Sequence, residues 1–127
     1  MDNKDDEVMA FVDKAKTKLE HANMIYNVQG YADCLALSYY SMYLCAKALL
    51  IKKDVNIPKS HQALIKRFSL EYVHKEDFEY IIYKYFASTQ TLREEADYSA
   101  VDSIDSKLAK QKIRQAEKFL KEAERFL

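Results

Sequence analysis

One short stretch of the chain, Thr91-Leu92-Arg93-Glu94-Glu95-Ala96-Asp97-Tyr98-Ser99, places a single cation among three carboxylates. A guanidinium can hold a phosphate through paired hydrogen bonds and stabilise charge that develops on it. On a helix, Arg93 and Asp97 would share a face four residues apart and could form an ion pair. Glu94 and Glu95 are adjacent and would diverge, so they do not form an acid–base pair. The stretch predicts a phosphate-binding Arg93 or a structural ion pair or dimer contact, and the structural interpretation is favoured.

The three histidines are His21, His61 and His74. No two of them have the spacing of a helical metal-binding motif, and no Cys accompanies them, so we expect neither a metal site nor a cofactor. His61 lies beside a basic segment and is the candidate for proton transfer or phosphate binding. A capping or packing role for His61 is favoured, because a lone histidine is more often structural than catalytic.

Ten tyrosines are an unusual feature of this composition. Tyr39 and Tyr40 are adjacent, and Tyr43 follows one helical turn after Tyr39, so the three cannot all point into one core. Buried rings with bonded hydroxyls suit a bundle core or an interface, and exposed rings can stack on nucleic-acid bases. We favour the core or interface, and keep Tyr39 and Tyr40 as candidate nucleotide-binding or RNA-binding residues.

The elements that must position these residues are helices. The 127-residue chain has one Gly, one Pro and no Trp, while Ala, Leu, Lys, Glu and Gln are plentiful. This composition is typical of a single all-helical domain, here spanning residues 1–127.

Apolar residues recurring at three-and-four spacing predict five helical segments. They cover about residues 4–28, 32–53, 61–73, from near Lys75 to the end of the opening stretch, and from about 106 to the C-terminus. Gly30 is expected to stop the first helix and Ser60 to cap the third. The second segment is apolar on most sides, as the central helix of a bundle is. We therefore predict an antiparallel up-and-down four-helix bundle with one additional short helix.

Charge and hydropathy limit the possible locations and ligands. The formal net charge is zero, but residues 107–127 carry seven Lys or Arg against three Glu. We interpret such basic faces as solvated surfaces, with local nucleic-acid binding as the alternative. No apolar run is long enough for a typical membrane span and the N-terminus is acidic, so a cytoplasmic protein without membrane contact is expected. Cys34 and Cys45 are predicted to be reduced and mostly buried, because one continuous helix would hold them about 16 Å apart.

Several segments in this order resemble the HEPN domain, a small prokaryotic helical bundle. They are the core Tyr39-Tyr40-Ser41-Met42-Tyr43, the helix entry Lys59-Ser60-His61 with the apolar residues after it, and Arg93 with Asp97-Tyr98. The resemblance covers nearly the whole chain. It implies a homodimer, often encoded beside a minimal nucleotidyltransferase in a toxin–antitoxin arrangement.

Active members of that family are metal-independent RNases in which an Arg is followed a few residues later by a His. Here no His follows Arg93 anywhere in the chain. Tyr98 stands where that His would be, but a phenol with an ordinary pKa of about 10 is a poor base at neutral pH. In some relatives a tyrosine near this segment is nucleotidylated by the partner enzyme, and Tyr98 is the corresponding candidate.

Three interpretations of function remain open at this point. The preferred one is a non-catalytic HEPN-like module that associates with a minimal nucleotidyltransferase and binds nucleotide or RNA phosphate through Arg93. The alternative is a divergent RNase that uses Arg93 with Tyr98 or His61. The third is a structural dimer that binds no ligand.

Overall fold

A computed structural model describes residues 3–99 and 103–127. Within them lie five α-helices: α1 Asn3–Tyr26, α2 Tyr31–Lys52, α3 His61–Phe68, α4 Tyr80–Tyr98 and α5 Ser106–Glu124. A π-helical segment, Ser69–His74, continues α3 directly. The described residues include no strand, and the predicted all-α class is confirmed. The predicted break before α5 includes residues 100–102, which lie outside the described residues.

The first two long helices run antiparallel, as side-chain bonds between them show. The Cys34 Sγ lies 3.3 Å from the Ala22 carbonyl oxygen, and the Ser41 hydroxyl donates to the Ala15 carbonyl at 2.8 Å. Residues later in α2 therefore contact residues earlier in α1, as antiparallel helices require. Cys34 and Cys45 are both buried and free, as predicted.

The last two long helices are also antiparallel. The Glu79 amide, just before α4, donates to the Glu122 carboxylate at 2.8 Å. Further along α4, the Phe86 ring packs 5.4 Å from the Phe119 ring of α5. With α2 between α1, α4 and α5, the predicted up-and-down four-helix bundle with an additional short helix is confirmed.

Helix α2 is the centre of the bundle and supplies its most apolar surface. By length and composition alone it could cross a membrane, which differs from the expectation drawn from the sequence. However, 61% of its most apolar 18-residue window is buried against the other helices. The central helix of a bundle needs this composition for packing, because most of its faces meet other apolar side chains.

The start of α4 differs from its predicted position near Lys75. The chain instead leaves the helical path after the π-helical segment, and Asp77 adopts a left-handed conformation with φ 64°. This turn directs Phe78 into the core, where its ring lies 5.0 Å from Phe68. The regular helix then begins at Tyr80, and Ile81 is exposed.

The turn between α1 and α2 depends on Gly30 for a reason other than the predicted one. Gln29, not Gly30, carries the positive φ of 66° that ends α1. Gly30 has φ −82°, but a Cβ there would lie 2.5 Å from the Ile25 Cγ2 atom. Close packing against Ile25, and not backbone conformation, therefore favours glycine here.

Candidate phosphate-binding site

Arg93 lies on the last turns of α4, above two tyrosine rings of α2. Its guanidinium carbon is 5.0 Å from the Tyr39 ring centroid and 5.6 Å from that of Tyr40. Two turns earlier, Phe86 stacks on the same Tyr39 ring at 5.7 Å and fixes α4 against α2. Cation–π contact with the buried Tyr39 ring and the exposed Tyr40 ring holds the guanidinium without neutralising it.

The polar contacts of Arg93 come from its own helix. Nη1 donates to Asp97 Oδ2 at 3.1 Å, and Nε donates to Gln90 Oε1 at 3.3 Å. The predicted Arg93–Asp97 ion pair is thus present. The Arg93 side chain is 19% exposed and that of Asp97 is 61% exposed. Nη2 has no hydrogen-bond partner in the part of the chain that the structure describes, so its donors stay available.

His61 reaches the same tyrosines from a different helix. It is the first residue of α3, which begins there because the Ser60 side chain accepts a hydrogen bond from the Ala63 amide, as predicted. Its Nδ1 is 2.8 Å from the Tyr39 hydroxyl oxygen. Its ring also stacks on Tyr43, with 4.3 Å between centroids. Of the two predicted roles for His61, capping or packing, the structure shows packing. This packing brings His61 and Arg93 to the same residue, Tyr39.

The surroundings favour an uncharged imidazole. Burial lowers the pKa of His61 below its ordinary value, the Arg93 charge lowers that pKa further, and Glu94 opposes them. Burial also raises the pKa of Tyr39 well above the usual range of a phenol, although the Arg93 charge opposes this. At neutral pH the pair is a neutral ring and a protonated phenol.

The hydrogen bond between Tyr39 and His61 determines what Nε2 can do. If the Tyr39 hydroxyl donates to Nδ1, Nε2 carries the proton and can donate it to a phosphate oxygen. If Nδ1 donates to the hydroxyl, Nε2 is an acceptor and can take a proton. In either tautomer one ring nitrogen is fixed by Tyr39, and the ring is held beside a cation.

Tyr98 does not join this group. Its side chain is 91% exposed, and it makes no hydrogen bond or ring contact within the described residues. It lies instead at a shallow hollow that includes Glu94 and Glu95. Of the six candidate residues, the structure brings together Arg93, Asp97, His61, Tyr39 and Tyr40.

Two residues of the site were not predicted. Tyr43 forms one wall of the His61 position, and Gln90 holds the Arg93 Nε. Tyr43 lies four residues after Tyr39 and Gln90 three residues before Arg93. These are helical neighbour spacings, so the signal was present once both helices were assigned.

A hollow of about 750 Å³ adjoins the site between α3 and α4. Gln62, the neighbour of His61, lines it together with Lys66, Gln90 and Glu94. Arg93 and His61 do not line this hollow themselves, but their neighbours Gln90, Glu94 and Gln62 do. His21 and His74 are exposed, and residues 3–99 and 103–127 contain no group of three His, Cys, Asp or Glu side chains that could hold a metal ion.

Comparison with known proteins identifies the family. A Methanocaldococcus jannaschii protein named "Putative toxin MJ0142" is 30% identical over 121 residues, covering 95% of this chain and 82% of the relative. A second protein of that organism, "Putative toxin MJ0605", is 34% identical over 120 residues, covering 93% and 88%. A UPF0332 protein of Pyrococcus horikoshii, PH1297, is 28% identical over 86 residues, 68% of this chain and 60% of the relative. Because the HEPN domain profile matches residues 8–127, the chain belongs to the HEPN domain family.

Proposed function

We propose that this HEPN protein is the toxin-like member of a toxin–antitoxin-like pair, and that the Arg93 site binds a phosphate of RNA or of a nucleotide. The observation that carries the proposal is the meeting of Arg93 and His61 on Tyr39. The names of the two M. jannaschii relatives support the toxin-like role.

Binding would exchange one anion for another at Arg93. Asp97 is mostly exposed, so its ion pair is a weak one that an incoming phosphate can displace. The phosphate would then accept hydrogen bonds from Nη1 and from the unpartnered Nη2. An Arg held by rings on one side can present both groups without loss of its position.

A second function, RNA cleavage, is favoured by one specific contact. The family's Arg is usually followed by a His on the same segment, which this chain lacks, but His61 of α3 lies against the tyrosine beneath Arg93. His61 could move a proton while Arg93 stabilises the charge on the phosphate. Of the two partners predicted for a divergent RNase, His61 fits this geometry and Tyr98 does not.

The proposal includes a cytoplasmic homodimer with a minimal nucleotidyltransferase as partner. The resemblance to the HEPN family implies this assembly, whereas the relatives' names support only the toxin-like role. Light scattering after size exclusion measures the oligomeric state. Co-purification with the product of a neighbouring nucleotidyltransferase gene tests the partner, and a monomer that binds no such product would contradict this part.

The site is tested by measuring cleavage and binding of labelled RNA in EDTA. Arg93→Ala should abolish binding of an uncleavable 2′-O-methyl RNA at the site, and any cleavage with it. Arg125→Ala is the matched control, because Arg125 also pairs with an acid of its own helix, at 3.2 Å, and lies over a ring, at 5.1 Å. Equal binding by both variants would refute the phosphate site.

His61→Ala separates the two functions. If the protein only binds phosphate, neither it nor the variant cleaves RNA. If the protein is an RNase, cleavage falls on the order of a hundredfold or more, as for loss of a general acid or base, while binding changes far less. Cleavage that persists in His61→Ala but not in Arg93→Ala would assign the proton transfer to another group.

A further inference from the structure

A row of cations follows one face of α5, away from the Arg93 site. Its members are Lys107, Lys110, Arg114, Lys118 and Lys121, called the α5 basic row below. They recur every three or four residues, so they share a face, and all five are exposed. At 1.5 Å per residue the row extends about 21 Å.

The row borders a groove and does not lie on a flat surface. A hollow of about 550 Å³ is lined by Lys107, Lys110, Arg114 and Lys118 of α5, with Tyr26 and Tyr85 among the residues opposite. The lining includes no Asp or Glu. A concave site lined by cations concentrates positive potential more than the same charges spread over a convex surface would.

The charges of these cations are not paired with acids of the described residues. In the described parts of the chain, none of the five forms an ion pair, whereas Arg125 at the end of the same helix pairs with Glu122. The buried Lys112, which does not line the groove, donates through its Nζ to the neutral Gln115, which does. The positive charge is therefore uncompensated by any acid of the groove.

Two aromatic rings stand beside the cations. The Lys110 Nζ lies 5.0 Å from the Tyr26 ring centroid, and Tyr85 enters the groove from α4. A cation next to an aromatic ring can hold a phosphate while the adjacent base stacks on the ring. An acidic protein surface would need the cations but not the rings.

We propose that the groove along the α5 basic row binds the backbone of single-stranded RNA, as a surface separate from the Arg93 site. The choice of RNA among polyanions rests on the proposed function. The cations hold successive phosphates along the helix, and Tyr26 and Tyr85 stack on bases. Such a surface binds without sequence preference and is strongly salt-dependent.

The test is fluorescence anisotropy with a labelled, unstructured 2′-O-methyl RNA in EDTA, across a salt series. The ribose of this RNA cannot attack its phosphate, so binding is measured without cleavage. For Lys110→Gln/Arg114→Gln, the slope of log K against log salt should become less negative by about 1.4, since each phosphate contact contributes about 0.7. At 50 mM salt the affinity should fall by tens of fold, on the order set by that slope.

Lys14→Gln/Lys16→Gln is the matched control, because it removes the same charge from exposed positions of α1. It should bind as the unchanged protein does. Tyr26→Leu should weaken binding about tenfold, in the range of one lost stacking contact. Tyr85→Leu is a second variant in case Tyr26→Leu alters the fold, which thermal unfolding would detect.

Three results would overturn the proposal. Equal loss of binding in the α1 and α5 double variants would mean a general electrostatic effect. If polyglutamate competed as well as RNA and both tyrosine variants bound normally, the groove would be a surface for an acidic protein. Loss of binding in Arg93→Ala alone would leave the proposed function intact and refute only the groove.

Discussion

Two parts of the molecule contain the same sequence pattern, an Arg followed four residues later by an acid, with opposite burial. In Arg67–Glu71 the acid is buried, its side chain 8% exposed, and the Arg is 47% exposed. In Arg93–Asp97 the Arg is the more buried partner, at 19%, and the acid is 61% exposed. Each pair also lies near a tyrosine ring with a cation above it, Lys53 over Tyr72 and Arg93 over Tyr39.

The difference lies in how far each central charge is satisfied. Glu71 accepts from Arg67 Nε at 3.0 Å and from Lys75 Nζ at 3.3 Å, and Lys53 Nζ lies 3.9 Å away. Because three cations surround it, the Glu71 carboxylate is compensated without a further ligand. Arg93 has one exposed acid, one amide and two rings, and none of these fully compensates a partly buried cation. The first cluster stabilises the fold, whereas the second can exchange its acid for an anionic ligand.

The largest effect is expected at the ring beneath Arg93. Tyr39 is fully buried, so Tyr39→Ala should lower the free energy of unfolding by about 3–5 kcal/mol, as measured by urea denaturation. The change removes the ring beneath the guanidinium and the partner of His61, so RNA binding at the Arg93 site should be lost as well.

Tyr39→Phe is the control for that substitution. It keeps the ring and removes the 2.8 Å contact with His61, so the free energy of unfolding should fall by only about 1 kcal/mol. A loss as small as this in Tyr39→Ala would mean that the ring does not organise the site.

The next largest effect is expected at Asp97, the exposed acid of the Arg93–Asp97 pair. Asp97→Asn should strengthen binding of the 2′-O-methyl RNA about fivefold, because it removes a negative charge beside the phosphate and frees Arg93 Nη1. Glu95→Gln removes an exposed carboxylate that does not contact Arg93 and should change binding less. If Asp97→Asn weakened binding instead, Asp97 would be positioning Arg93 and the contrast with Glu71 would disappear.

A smaller effect should appear in the pH dependence of stability. The pKa of His61 is lower in the folded protein than its ordinary 6.5, chiefly because the ring is buried. The folded state then binds fewer protons, so this contribution is present above pH 6.5 and is lost as pH falls through the folded pKa. His61→Phe should flatten the urea-derived stability profile in that range.

The pKa of Glu71 is also lowered in the folded protein, and its effect on stability falls in a more acidic range. Burial would raise its pKa, but hydrogen bonds and charges from Lys75 and Arg67 lower it below 4.5 overall. Its contribution is therefore present above pH 4.5 and lost as pH falls further. Glu71→Gln should lower the free energy of unfolding above pH 4.5 and change the slope of the pH profile only below it. The two groups are separated by pH range. If the stability profile of His61→Phe above pH 5 matched that of the unchanged protein, the buried environment described for His61 would be contradicted.

The helices, the core and the Arg93–Asp97 pair could be predicted because they depend on local spacing. The burial of each Arg–acid pair could not, since neither spacing nor charge specifies which partner faces the bundle. The contact between His61 and Tyr39 joins residues 22 positions apart on two helices, and it exists only after α3 packs on α2. The start of α4 was misplaced because an acidic turn between two apolar runs has the same three-and-four spacing as a helix.

The smallest effect is expected at Tyr98, and its position on the helix explains why. Five residues at about 100° each place Tyr98 roughly 140° around α4 from Arg93, so the two side chains diverge. With a side chain that is 91% exposed, Tyr98→Phe should change the free energy of unfolding by less than about 0.5 kcal/mol. RNA binding should also be unchanged, in contrast to Tyr39→Ala. Weaker binding in Tyr98→Phe would mean that the site extends to the end of α4. The phosphate would then approach Arg93 from the shallow hollow that contains Glu94 and Tyr98, and not from the side of the guanidinium that is near His61.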